Sequence, residues 1–344
     1  MNALLFADPS PSLRWRAAVE LDGAPEDDEE VRAWRTEIDR SENVRQLLVQ
    51  LATARRPLNA GYLLCRLAHL GYRGPELATA VESLFTLQQP DGSWPVGFDD
   101  EDERPALSST REPPRESAPS DGPRFVTTHT VVPLRGIAAA GFATDPRAER
   151  AYDWLESVRL PDGSWPAGPK ADFGKDGRPS LPEPEYRRLT RGAGCRSATT
   201  GAVACLALHP DRNRSDTARI GVDHLLARET RDESALGWEV SRLVGLERHQ
   251  GQVTFYVTFD PAFVLDLASR CGVSPEDRRV RELVAYLESL RGPYGLWPHH
   301  AHPQLSRWLT FDLECSLRRL AAGDWTGNED PATFTPYRRG PRRY

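Results

Sequence analysis

Three short stretches set a titratable residue in the same company: RFVTTHT at 124–130, FYVTFDP at 255–261 and RWLTFDL at 307–313. Each runs aromatic, Val or Leu, Thr, then Thr or Phe, and ends on His129, Asp260 or Asp312. A carboxyl taken out of water keeps its proton to higher pH, and a second carboxylate nearby strengthens the effect. Aromatic faces attract cations. Phe125, Tyr256, Phe259, Trp308 and Phe311 beside these groups thus supply the parts of an acid site with a cation-stabilising wall. Arg66, Arg135 and Arg318 fall on helices expected to line the same space, where a guanidinium suits a carboxylate or a diphosphate. The plainer reading is that an Asp in front of a helix caps it, which is worth about 1 kcal/mol.

The three stretches open short helices rich in small residues, and three more windows look alike. The openers are Pro11, Asn59, His129, Thr199, Asp260 and Asp312, and in four of them a Gly follows 12 positions later, at Gly23, Gly71, Gly141 and Gly272. Asn, Thr and Asp suit N-cap positions. Longer amphipathic segments follow at 28–52 (with a break near Ser41), 75–87, 146–158, 214–228 and 276–289. The sequence PDGSWP then occurs twice, in 87–97 and 158–168, and a looser copy, LRGPYGLWPHH, spans 290–300. Pro-Asp-Gly is turn chemistry. No turn requires the Trp, so it marks a socket between packed elements.

A single such hairpin cannot bury its apolar face alone, so neighbours must stack. The expected fold is all-α: a closed ring of helical hairpins with small residues on the inner wall, forming one domain over 1–330. Polar, Pro-rich insertions at 98–124 and 169–194 emerge at its rim, and a basic tail occupies 331–344.

Composition narrows the partners. The 344 residues carry a net charge of −6, which favours neither nucleic acid nor an anionic membrane. No stretch approaches the ~20 apolar residues of a membrane span. The five cysteines have no metal-type spacing and read as buried thiols in a reducing compartment, and MNALLFADPS is a poor signal peptide, so a cytoplasmic location is expected.

DGSWP after an outer helix, with inner helices opened by T-x-D-like segments, resembles the prenyltransferase and squalene cyclase repeat, often called the QW motif. The resemblance covers about 11–323. It implies an (α/α)6 barrel, an isoprenoid or other apolar small-molecule partner and no cofactor. It further implies a class II-like terpenoid cyclase, in which a carboxylic acid protonates an alkene or epoxide. Asp260, Asp312 and His129 are then the candidate catalytic residues. Phe125, Tyr256, Phe259, Trp308, Phe311, Arg66, Arg135 and Arg318 are the candidate substrate contacts. The chain departs from the family's D-x-D-D-T-A pattern, because Phe259 and Phe311 stand where the acid belongs.

Metal chemistry is not expected. The pair Asp312 and Cys315 is spaced one residue too far apart for the family's zinc site, and the histidines of WPHHAH at 297–302 sit on a turn. P-loop, G-x-G-x-x-G, G-x-S-x-G and H-E-x-x-H patterns are missing. Two other readings stand beside the cyclase: a barrel that binds an apolar ligand without transforming it, and a helical scaffold whose rim meets a protein partner.

Overall fold

The computed structural model describes residues 3–95, 127–166, 194–227, 235–247, 259–299 and 301–328. Phe125, Tyr256, the 98–124 insertion, residues 169–193 of the other insertion and the basic tail lie outside these residues. Within them the chain is helical, with no sheet and one isolated bridge between Val273 and Trp325.

Helices are numbered in chain order. A short lead helix, α1 (Ala3–Phe6), precedes six inner helices: α2 (Pro11–Arg16, continued by a wider turn at Ala17–Leu21), α5 (Pro57–His69), α7 (Thr127–Ile137), α9 (Arg196–Leu206), α12 (Pro261–Arg270) and α14 (Ser306–Leu320). Their outer partners are α3 (Glu29–Arg40) with α4 (Glu42–Thr53), then α6 (Glu76–Thr86), α8 (Pro146–Ser157), α10 (Asp216–Leu226) and α13 (Arg278–Ser289). The break at Ser41 is a cap, since its hydroxyl accepts from the backbone N–H of Val44. In α7 and α9 nearly every residue is buried, whereas α13 buries only Val280, Leu283 and Leu287. That contrast is the difference between a wall covered on both sides and a solvated outer layer. α5 packs on α7, α7 on α9 and α12 on α14, and α14 closes the ring against the first inner helix. At the tightest crossing Gly61 meets Gly136, and a Cβ on Gly61 would lie 2.5 Å from the Cα of Pro133.

The three tryptophans of the repeated turns are fully buried, and all bond alike. The indole N–H of Trp94, Trp165 and Trp297 donates to the carbonyl ten residues back, at Leu84, Leu155 and Leu287. Their backbone N–H groups donate to the hydroxyls of Thr130, Thr199 and Thr310 on the next inner helix, at 3.2, 3.0 and 2.9 Å. Each Trp thereby fixes the height at which an outer helix hands over to its neighbour. Gly92 and Gly163, at φ of +95° and +90°, make the turn that points the indole inward.

These bonds correct the expected register. Thr130, Thr199 and Thr310 are the equivalent positions, so His129 comes one residue before the shared point and Asp312 two after it. The N-cap expectation also narrows. Asp260 caps α12, but Asn59, His129, Thr199 and Asp312 all lie inside their helices. Among the outer helices, Asp28, Ser41, Asp145, Ser215 and Asp277 supply caps instead.

Candidate functional site

An additional helix, α11 (Trp238–Val244), sits between α10 and α12 in the chain. It touches α5, α7 and α12, which come from opposite sides of the ring, so it occupies the lumen. It is bracketed by Gly237 and Gly245, both in the left-handed region at φ of +81° and +94°. Glu239, Val240, Ser241, Arg242 and Leu243 are all buried.

Polar side chains of the wall hold both ends of this plug. The Asp260 carboxylate accepts from the backbone N–H groups of Gly237 (3.1 Å), Glu239 (2.9 Å) and Ala262 (3.0 Å), and so serves two helix starts at once. Arg66 donates to the carbonyls of Leu243 and Val244 at the other end, and the Tyr62 hydroxyl donates to Arg242 O at 2.6 Å. Between them Glu239 takes Arg135 Nη1 at 2.7 Å and Arg242 Nε at 3.0 Å. Burial works to raise the Glu239 carboxyl, but Arg242 and Arg135 outweigh it and hold it below its usual range. Burial pushes Asp260 up to about 6, Glu239 adds to that, and the N–H bonds pull the other way. Asp260, Arg66 and Arg135 thus act on the plug.

A second network lies where four inner helices meet. Arg16 and Glu20 come from the first, His69 from α5, Asp266 and Arg270 from α12, and Asp312 and Arg319 from α14. Side chains of non-adjacent inner helices can meet only inside the ring. Arg16 binds Glu20 through Nε at 2.7 Å and reaches His69 Nδ1 at 3.1 Å. Since guanidinium only donates, Nδ1 accepts and the ring proton sits on Nε2. Burial first, then Arg16 and Arg135, lower the His69 pKa well below the usual imidazole range. Asp266 joins two guanidinia: it accepts from Arg270 Nε at 2.9 Å and from Arg319 Nη2 in a very short contact.

Asp312 differs from every other carboxylate in this network. Among the described residues its carboxyl accepts no hydrogen bond, and its one ion-pair partner is Arg16 Nη1 at 3.7 Å. The side chain is 25% exposed although protein surrounds it, which makes it a lumen-facing group. Burial pushes its pKa up to about 7; Asp266 and Glu20 add to that, while Arg16 and Arg319 oppose it.

The aromatic wall takes another form than expected. Each of the three described rings lies against a basic or imidazole side chain. Arg196 lies over Phe259 at 5.1 Å, Arg16 over Phe311 at 4.5 Å, and His69 stacks on Trp308 at 5.1 Å. His129 is half-buried on α7. Arg318 is exposed, and its neighbour Arg319 is the one that turns inward. Sequence reasoning missed α11, Arg16, Glu20, Asp266 and Arg270; it placed Arg319 beside Arg318 on the last inner helix, where arginines inside the barrel suit a diphosphate or carboxylate.

Elsewhere, all five cysteines are buried free thiols. His299 is buried and bonds Gly237 O, Ala301 N and His302 N, so it fastens the turn before α14 to the plug. No cluster of three or more metal-type ligands occurs among the described residues. No described helix is long and apolar enough to cross a membrane. A cavity of about 290 Å³ lies between α4, α5 and α6, lined by Leu48, Leu51, Arg55, Pro57 and Leu87, and it contains none of the expected site residues.

No family model and no curated protein matches the chain. Among solved structures, unsaturated glucuronyl hydrolase from Bacillus sp. GL1 is similar at 16% identity, with 93% of this chain and 88% of that one covered and a TM-score of 0.46. The type II terpene cyclase MstE from Scytonema is similar at 13% identity, with 83% and 98% covered and a TM-score of 0.28. Both likenesses are distant and bear on neither substrate nor reaction.

Proposed function

We propose that the lumen between the first inner helix, α12 and α14 is an acid–base site, in which Asp312 gives a proton to a small polar substrate. The observation that carries this reading is the Asp312 carboxyl itself: accessible, without a hydrogen bond among the described residues, and pushed up to about 7. A carboxyl that changes charge near neutral pH both donates and accepts, which is the condition for general acid–base work. The other two carboxyls of the cluster, Glu20 and Asp266, are each bonded to arginine, so Asp312 is the carboxyl left to act on something else.

Terpenoid cyclisation is the second reading, favoured by the same raised carboxyl. Support for it is weaker at the wall. A cyclase leaves ring faces bare for the travelling cation, and here Phe259, Phe311 and Trp308 already carry Arg196, Arg16 and His69.

Wild type and D312N should be incubated with two substrate pools, and products followed by mass spectrometry. One pool holds small carboxylates and phosphate esters bearing an alkene, enol ether or acetal. The other holds prenyl diphosphates and squalene. Conversion in the polar pool that D312N abolishes is the expected result. Conversion confined to the prenyl pool, and lost in D312N, would establish the cyclase instead. If neither pool reacts and ¹³C NMR shows Asp312 titrating at the ordinary carboxylate pKa of about 4, the acid-site reading fails.

A further inference from the structure

Asp266 holds two arginines on neighbouring inner helices. It binds Arg270 only through Nε, so both terminal nitrogens of that guanidinium make no hydrogen bond among the described residues. Arg319 spends Nε on the Ser269 hydroxyl and Nη2 on Asp266 and the Ser316 hydroxyl, which leaves Nη1 over. Both side chains keep about 30% of their surface accessible. A guanidinium is rigid and planar, so fixing one edge aims the other. One carboxylate therefore orients two forks and saturates neither.

Charge points the same way. Three arginines, Arg16, Arg270 and Arg319, face three carboxyls, Glu20, Asp266 and Asp312. Glu20 is committed to Arg16 at 2.7 Å, and Asp266 is shared between the other two. With Asp312 protonated the cluster carries one positive charge more than its own carboxylates neutralise.

We infer that Arg270 and Arg319, aligned by Asp266, form a binding site for the oxyanion of a small molecule, a carboxylate or a phosphate group, in the lumen that Asp312 faces. This inference names the substrate class of the acid site and rests on that reading for its catalytic meaning. The site binds the anion through the leftover N–H groups, and charge-assisted bonds of this kind are the strong ones. An anion held there repels a charged Asp312 and so favours its protonated form. By linkage, anion binding then takes up a proton and weakens as pH rises through about 7.

Calorimetry with two probes that do not titrate near neutrality tests this: tetrahedral sulfate, shaped like a phosphate group, and planar oxalate, shaped like a carboxylate. Wild type should bind at least one, and the preferred shape identifies the source. R270Q and R319Q should each weaken binding by about tenfold or more. R318Q, at an exposed neighbour, should leave it unchanged. Should R319Q fail to fold, R319K keeps the charge without the fork and should still weaken binding. D312N should bind the anion but lose the pH dependence. Arginine-dependent binding that ignores pH in wild type would keep the oxyanion site and remove Asp312 as a neutral-pH acid. No binding in wild type, or equal binding in R270Q and R319Q, would overturn the site, while a titration of Asp312 near 7 in ¹³C NMR would leave the acid reading standing.

Discussion

The lumen contains two polar regions built from the same residue types, and they end up opposite in character. Around α11, Asp260, Glu239, Arg135, Arg242 and Arg66 are buried or half-buried and bonded to backbone or to one another. Around Arg16, the charges are similar in number but more accessible, and the Asp312 carboxyl accepts no hydrogen bond among the described residues. What separates them is the backbone. The plug brings helix ends that use up carboxylate and guanidinium valences, whereas the Arg16 region pairs mainly side chains with side chains, apart from the His69 carbonyl that takes Arg16 Nη1 at 3.3 Å. Residue type alone therefore does not mark a site; what counts is a charged group whose partners run out.

Breaking the plug side should have the largest effect. E239A leaves Arg135 and Arg242 buried without their carboxylate, and should cost about 3–5 kcal/mol in urea unfolding. A loss under about 1 kcal/mol would mean that water reaches this region as it reaches the other. D260N keeps the shape but weakens an acceptor shared by three N–H groups, at an expected cost of about 2 kcal/mol.

D312N should go the other way. Asp260 and Asp312 both have folded pKa values, about 6 and about 7, above the unfolded value of 3.8. The folded protein then holds more protons than the unfolded chain between those limits. Stability present below about pH 4 is lost as pH rises toward 6 and 7. Replacing Asp312 by Asn removes its share of that loss, so D312N should be more stable than wild type at about pH 8, by about 1 kcal/mol, with little difference at about pH 4. Urea midpoints at the two pH values check the sign. The smallest effect is expected from E20Q. Removing that like charge should lower the Asp312 pKa by about half a unit, read by ¹³C NMR of its carboxyl.

The ring was legible in the sequence because its signals are local. PDGSWP names the turn and its Trp, the outer helices show their amphipathic period, and Ser41 marks the break. Register at α14 was not legible, since it depends on a bond from Trp297 to Thr310 over 13 residues where the other two span 36 and 34. Aligning Asp312 with His129 by the shared Thr was reasonable and wrong by three positions. The plug escaped because a seven-residue helix buried on all sides has no polar face to produce a period. Its only written trace is the pair of glycines eight apart, Gly237 and Gly245. Most of the charged lumen escaped for the converse reason. Glu20, Asp266 and Arg270 on their separate helices look like parts of ordinary solvated faces, and only ring closure turns those faces inward.

The Trp-to-Thr bonds also govern how the chain can change length. The bond from Trp94 to Thr130 joins points 36 residues apart in the chain, and that from Trp165 to Thr199 joins points 34 apart. In both, the point at which the polypeptide rejoins the barrel is set by the bond and not by the length between. Doubling a loop adds only about 0.6 kcal/mol to its closure cost. Residues added between either bonded pair are therefore expected to leave the order of helices around the ring preserved.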